Sequence, residues 1–305
     1  MKWQKLGRVH FTKNSKDHWA YSHDHVPTVD VVGDTFRVYV AHFDVDNVKR
    51  IGMIELDAQN PTEILNVSDS PVLDIGVPGT FDDAGVVPSY IHTHKDGTKF
   101  LYYFGWQLLH KTSRYLLAGL AVSHDGGITF ERYQQTPILE RLTTERFLRS
   151  TTSVLEERGV YKCWYGASNE IIDIHGHPVP TYNIHYTTSN DGIHWAAGTS
   201  CMSFKDPEEF ALIRPWVIKE DNLYKMFYSV RKIDKGYNMG YAESVDGMKW
   251  LRKDDIVGIS RSNSGWDSEM ICFSSVVDYK GQRYMFYNGN NYGESGFGVA
   301  FLKEA

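Results

Sequence analysis

Cysteine is scarce: three in 305 residues, at positions 163, 201 and 272, with no CxxC pair. That spacing excludes a disulfide framework and the common zinc and redox motifs, and it suits free, buried thiols in a reducing compartment. An excess of positive charge is missing too. Lys and Arg number 32 against 38 Asp and Glu, for a formal net charge of −6, and no basic cluster could track a phosphate backbone, which argues against nucleic acid as a partner. No apolar run reaches the roughly 18 residues of a membrane-crossing helix. Residues 1–8 carry Lys2, Lys5 and Arg8 where a secretory leader needs an apolar stretch. These absences lead us to expect a soluble, cytoplasmic protein without a membrane partner.

Aromatic residues, in contrast, are plentiful, with 19 Tyr, 15 Phe and 8 Trp, and they favour strands over helices. They also recur in order. A turn followed by an aromatic-rich strand appears as GDTFRVYV (33–40), GTKFLYYF (97–104), RGVYKCWY (158–165), DNLYKMFY (221–228) and KGQRYMFY (280–287). The last positions of these segments are 64, 61, 63 and 59 residues apart, so five units of about 61 residues fill the chain. A second β-like segment precedes each one, at 26–32, 86–92, 150–155, 214–218 and 271–277. In the three middle units a further strand ends in SHDGGITF (123–130), SNDGIHW (189–195) or SVDGMKW (244–250). The Asp-Gly pairs are hairpin chemistry, because a tight turn needs residues that tolerate positive φ.

Three or four strands per unit without helical periodicity predict an all-β, five-bladed β-propeller. The MKW of residues 1–3 repeats the MKW of 248–250, which follows the turn in unit four, and unit five lacks that segment. The amino-terminal strand is therefore expected to close the last blade, making residues 1–305 a single domain. Units of this length exceed WD and kelch repeats. One match to a sialidase-type Asp box, at 123–130, stands without a trio of arginines for a carboxylate ligand.

The segments FDDAGVVPS (81–89), RPWV (214–217), GYAESVDG (240–247), GWDSEM (265–270) and YNGNNYG (287–293) resemble those of the five-bladed propeller glycosidases, glycoside hydrolase families 32, 43, 62, 68 and 130. Within that group the chain is most similar to cytoplasmic glycosidase-like propellers associated with polysaccharide biosynthesis. The resemblance implies a carbohydrate-active enzyme whose polar residues at the start of each innermost strand face the substrate. Every unit offers a carboxylate there: Asp24, Asp82 and Asp83, Glu145, Glu208 and Glu209, and Asp267 with Glu269. Glycoside hydrolysis needs one carboxylic acid to protonate the leaving oxygen and one carboxylate to attack or to activate water. By position in the family, Asp24 is the base or nucleophile, Asp83 or Asp82 the modulator or hydroxyl ligand, and Glu269 or Glu209 the acid. Asp24 stands between two histidines and not in the Asn-Asp-Pro context of the invertase-like families, so its role could equally fall to Asp82 or Asp83.

His23 and Asn290 are further candidates for sugar contacts. Arg149 and Arg214, at the starts of inner strands, could clamp a phosphate. Family 130 uses phosphate as the attacking group, so phosphorolysis, transglycosylation and non-catalytic sugar binding stand beside hydrolysis, with phosphate or a nucleotide sugar as candidate ligands. No cofactor is implied. His175 and His177 read as a solvent loop, and no histidine group has a third ligand that would define a metal site.

Overall fold

A computed structural model describes residues 1–303 apart from 14, 17, 111 and 112. Strands dominate, and among the described residues no helix is long and apolar enough to cross a membrane. The strands form five antiparallel sets of four. Set I holds Ser22–Val32, Thr35–Phe43, Lys49–Asp57 and Ile64–Val67. Set II holds Val86–Thr93, Lys99–Leu108, Arg114–Ser123 and Glu131–Arg132. Set III holds Leu148–Glu157, Val160–Ser168, Asn183–Ser189 and Thr199–Ser200, with a hairpin of Ile171–Ile174 and His177–Pro180 between its second and third strands. Set IV holds Glu209–Glu220, Leu223–Lys232, Asn238–Ser244 and Leu251–Arg252. Set V holds Cys272–Tyr279, Gln282–Asn288 and Phe297–Leu302, and the amino-terminal strand Trp3–Val9 pairs with the last of these. Each repeated aromatic segment is the second strand of its set.

The first strands touch in the order I, II, III, IV, V, and the fifth also meets the first. Apolar side chains fill the space between successive sets. Tyr39 and Met53 meet Leu101 and Tyr103, Trp164 and Ile184 meet Val217 and Met226, and Phe286 and Val299 meet Val38 and Phe36. This is a β-propeller-type arrangement, in which each sheet buries its face on the next. Sets II and III are also joined directly by parallel pairing of Leu148 and Arg149 with Leu116 and Leu117. The three cysteines are free; Cys163 and Cys272 are buried.

The Asp-Gly turns do more than reverse the chain. Asp125, Asp191 and Asp246 each accept backbone N–H bonds from the residues that follow them. The glycine carbonyl then receives a donor from the set before. Tyr39 Oη donates to Gly127 O, Tyr102 Oη to Gly192 O, and Trp164 Nε1 to Gly247 O. A side chain on Gly192, whose φ is +75°, would stand 2.8 Å from Tyr102 Oη, so the latch itself requires glycine.

Replacing Tyr102 by Phe leaves the buried Gly192 carbonyl without its donor. Urea denaturation of Tyr102→Phe is expected to show a loss of about 1–2 kcal/mol, whereas the exposed Tyr133→Phe should change stability by less than about 0.5 kcal/mol.

Candidate functional site

The first strands are irregular at one matching place. Val26, Thr151, Arg214 and Phe273 have φ of 54°, 56°, 56° and 56°, and each sits where the pairing with the second strand shifts register. Left-handed backbone in β-branched Val26 and Thr151 costs of order 1–3 kcal/mol each. Side-chain bonds from neighbouring strands hold the bulges in place. Val26 N donates to Asn288 Oδ1 at 2.7 Å and Phe273 N to Ser229 Oγ at 2.8 Å. The bulges turn successive side chains towards the space that the five first strands enclose.

Arg214 is the extreme case. It is fully buried, its guanidinium donates to Ser89 O and, at 3.0 Å, to Thr28 Oγ1, and no carboxylate pairs with it among the described residues. A side chain from set IV thus ties together the first strands of sets I and II. Burial lowers its pKa to about 9.

Beside the bulges lies a cavity of about 420 Å3. Phe43, Trp106, Phe147, Tyr182, Tyr237, Phe273 and Tyr292 contribute to its wall, and Pro180 brings the end of the set III hairpin to its edge. The polar lining is His25, Asn47, Ser113, Thr151 and three cations: Lys49, Arg114 and Arg231. No carboxylate belongs to the described lining. Lys49 Nζ and the Arg114 guanidinium each lie 4.2 Å from the centre of the Trp106 ring, and Arg231 lies 5.4 Å from that of Tyr237. Burial, and then the nearby Arg114, lowers the Lys49 pKa to about 8. Arg114 is itself lowered by burial and, more weakly, by Arg231. Like charges are thus held together in a largely apolar cavity, an arrangement that an entering anion would relieve.

His25 is a neutral group in this wall. Its Nδ1–H donates to Tyr292 O at 2.9 Å, and burial takes its pKa to about 3. The remaining ring nitrogen, Nε2, is then an acceptor suited to a sugar hydroxyl.

The residues expected to form the site from the sequence do not line this cavity. Most are held in place by other groups. Asp24 is buried, with Oδ2 2.7 Å from His10 Nδ1 and accepting from Phe11 N at 3.1 Å. Asp82 is buried between Tyr103 Oη at 2.9 Å and Arg132 Nε at 2.7 Å. Glu209 is gripped by both terminal nitrogens of Arg252, at 2.7 and 2.9 Å. Arg149 pairs with Glu145 at 2.5 Å, and neither it nor Arg214 lines the cavity. Asn290 accepts from Glu269 N and Met270 N and fixes the loop that enters set V. His23, φ +64°, stacks on Phe43 with ring centres 4.1 Å apart.

Asp83 is half-buried and accepts from Gly79 N, and the Glu269 side chain is exposed. Both stand on loops leading into first strands. His175 lies in an exposed hairpin turn, as expected, and pairs with Asp234 at 2.9 Å. The cavity cations Lys49, Arg114 and Arg231 stand on second or third strands, away from the first-strand entrances to which the sequence points. The pairing of Trp106 with a nearby Arg114 was the available clue.

The neutral His25 has a consequence for stability. Its pKa falls on folding, so the unfolded chain binds a proton that the folded one excludes, and stability declines as pH drops from about 6.5 towards 3. Comparing urea denaturation at pH 7 and pH 5, His25→Gln should lack about 2 kcal/mol of the acid-induced loss seen in the parent chain.

No family model matches the chain. Over 308 aligned positions it is 33% identical to the uncharacterized protein Rv1502 of Mycobacterium tuberculosis (strain ATCC 25618 / H37Rv), covering 99% of this chain and 100% of that one. Similar solved structures include a glycoside hydrolase, with a TM-score of 0.75 at 18% identity over 99% of this chain and 92% of that one. A thermostable family-43 glycoside hydrolase gives 0.72 at 15% identity, over 97% and 94%. A structure from the GH130 family of mannoside phosphorylases, which contains glycoside hydrolases that target β-1,2 mannosidic linkages in Candida mannan, gives 0.69 at 14% over 94% and 87%. At these identities the likeness is one of fold. The chain belongs to the same family as the mycobacterial Rv1502 protein, on a β-propeller-type fold shared with glycoside hydrolases.

Proposed function

We propose that the chain is a cytoplasmic carbohydrate-active enzyme, a single closed five-bladed propeller, that breaks a glycosidic bond with phosphate at the central cavity. One observation carries the reading: Lys49, Arg114 and Arg231 share an aromatic cavity whose described lining includes no carboxylate. Aromatic walls suit the apolar faces of a sugar ring, and the cations suit a phosphate or a phosphate-bearing activated sugar of the kind polysaccharide assembly consumes.

In this reading Arg114 and Arg231 hold the phosphate. One of its oxygens forms a bond to the anomeric carbon as the glycosidic C–O bond breaks. The leaving oxygen takes a proton from the Lys49 ammonium, whose pKa near 8 keeps it protonated yet able to donate at neutral pH. The proton released by the attacking hydrogen phosphate, once it is bonded to carbon, restores the Lys49 ammonium. Asp24, Asp82, Arg149, Arg214, Glu209 and Asn290 shape the site from behind, and His23 supports the wall at Phe43. Asp83 and Glu269, which no cation holds among the described residues, are then available to meet sugar hydroxyls on the loops that enter sets II and V. Direct hydrolysis by paired carboxylates has less support, because the described lining of the cavity includes no carboxylate.

A mass-spectrometric screen of oligosaccharides, glycosides and nucleotide sugars, run with and without inorganic phosphate, tests this. The expected result is a sugar phosphate formed only when phosphate is present, with Lys49→Met and Arg231→Gln each lowering kcat/KM by about 100-fold or more. Hydrolysis at equal rates without phosphate, unaffected by those substitutions, would refute it.

A further inference from the structure

At the other end of the first strands, away from the cavity, two histidines and a glutamate converge. His92 is in the first strand of set II and His94 follows that strand, two residues apart as one face of an extended segment requires. Glu156 lies near the end of the first strand of set III. Counting from Thr151 along that strand puts the cluster about 16 Å from the cavity wall.

The donor atoms of His92, His94 and Glu156 all lie within 4.8 Å of one another. His92 Nε2 is 3.6 Å from Glu156 Oε2, and the two imidazoles meet edge to face with centres 4.6 Å apart. Nε2 of each histidine is buried without a hydrogen-bond partner. Buried polar nitrogens are rarely left unsatisfied, so this pair calls for something to satisfy them. His94 Nδ1 is 3.4 Å from the Tyr161 hydroxyl. The tautomer that donates there leaves the Nε2 lone pair free, which is how an outer partner orients a metal-binding imidazole.

We propose that His92, His94 and Glu156 bind one divalent transition-metal ion of the zinc class and so join sets II and III. Ligand atoms around tetrahedral zinc, with bonds of about 2.0–2.1 Å, stand about 3.4 Å apart. The His92 to Glu156 distance already matches that value, and small side-chain rotations bring in His94. Two imidazoles and one carboxylate suit zinc or its neighbours better than calcium or magnesium, which take oxygen ligands. Three protein ligands leave a fourth position for water. The site does not depend on the reaction at the cavity.

The test is a titration of the full-length, metal-stripped protein with Zn2+ against a chromogenic chelator, paired with visible absorption after Co2+ addition. One equivalent should bind, with d–d bands of a low-coordinate site. Affinity should fall about 100-fold in His92→Ala and in His94→Ala, and at least 10-fold in Glu156→Gln, whose carboxylate is exposed enough for the fold to survive. His175→Ala should bind like the parent. Absence of stoichiometric binding, or binding unchanged in Glu156→Gln and either histidine variant, would overturn the assignment.

Discussion

A tyrosine hydroxyl held against a carboxylate and a cation recurs in sets II to V, and it governs which charges remain for the cavity. Tyr103 joins Asp82 and Arg132, Tyr165 joins Glu145 and Arg149, Tyr228 joins Asp254 and Arg252, and Tyr287 joins Asp267 and Lys5. In sets II, III and V the clasp fixes the loop before the first strand to the second strand of the same set, and in set IV it fixes the turn that follows the fourth strand, Asp254–Ile256, to the second strand. Breaking such a buried pair by removing one partner typically costs about 3–5 kcal/mol. Asp82, Glu145 and Asp267 are thereby committed to architecture. Three of these tyrosines lie over a glycine of the third strand, Gly119, Gly240 or Gly298, where an added Cβ would come within 2.4–2.6 Å of a neighbouring ring.

The centre is shaped by the left-handed bulges. These hold Arg214 inside the ring of first strands and turn Thr151 and Phe273 towards the cavity. The cations that remain unpaired by carboxylate, Lys49, Arg114 and Arg231, lie against aromatic faces. Cation–π contact compensates part of their desolvation but leaves their mutual repulsion in place. In the proposed reading this gives the site a preference for an anion, whereas a two-carboxylate glycosidase presents negative charge at the same place.

Much of the architecture was legible because it repeats. The aromatic segment occurs five times at nearly constant spacing, and the match between Trp3 and Trp250 pointed to the pairing of Trp3–Val9 with Phe297–Leu302. The Asp-Gly turns could be read from chemistry alone. The site was less legible, since a carboxylate before a strand looks the same whether it meets substrate or a tyrosine two strands away. Asp82 and Glu209 show this: only three-dimensional pairing reveals Arg132 and Arg252 as their partners. His92 and His94 went unnoticed because their third partner, Glu156, lies more than sixty positions along the chain in another set.

The central claim is that the cavity recognises an anion on a sugar. The most direct measurement is a crystal structure of the full chain soaked with a sugar 1-phosphate at neutral pH. The phosphate is expected within hydrogen-bond distance of Arg114 and Arg231, with the ring against the aromatic wall. A sugar bound instead with its anomeric carbon between Asp24 and Glu269, or a phosphate held outside the cavity, would contradict it.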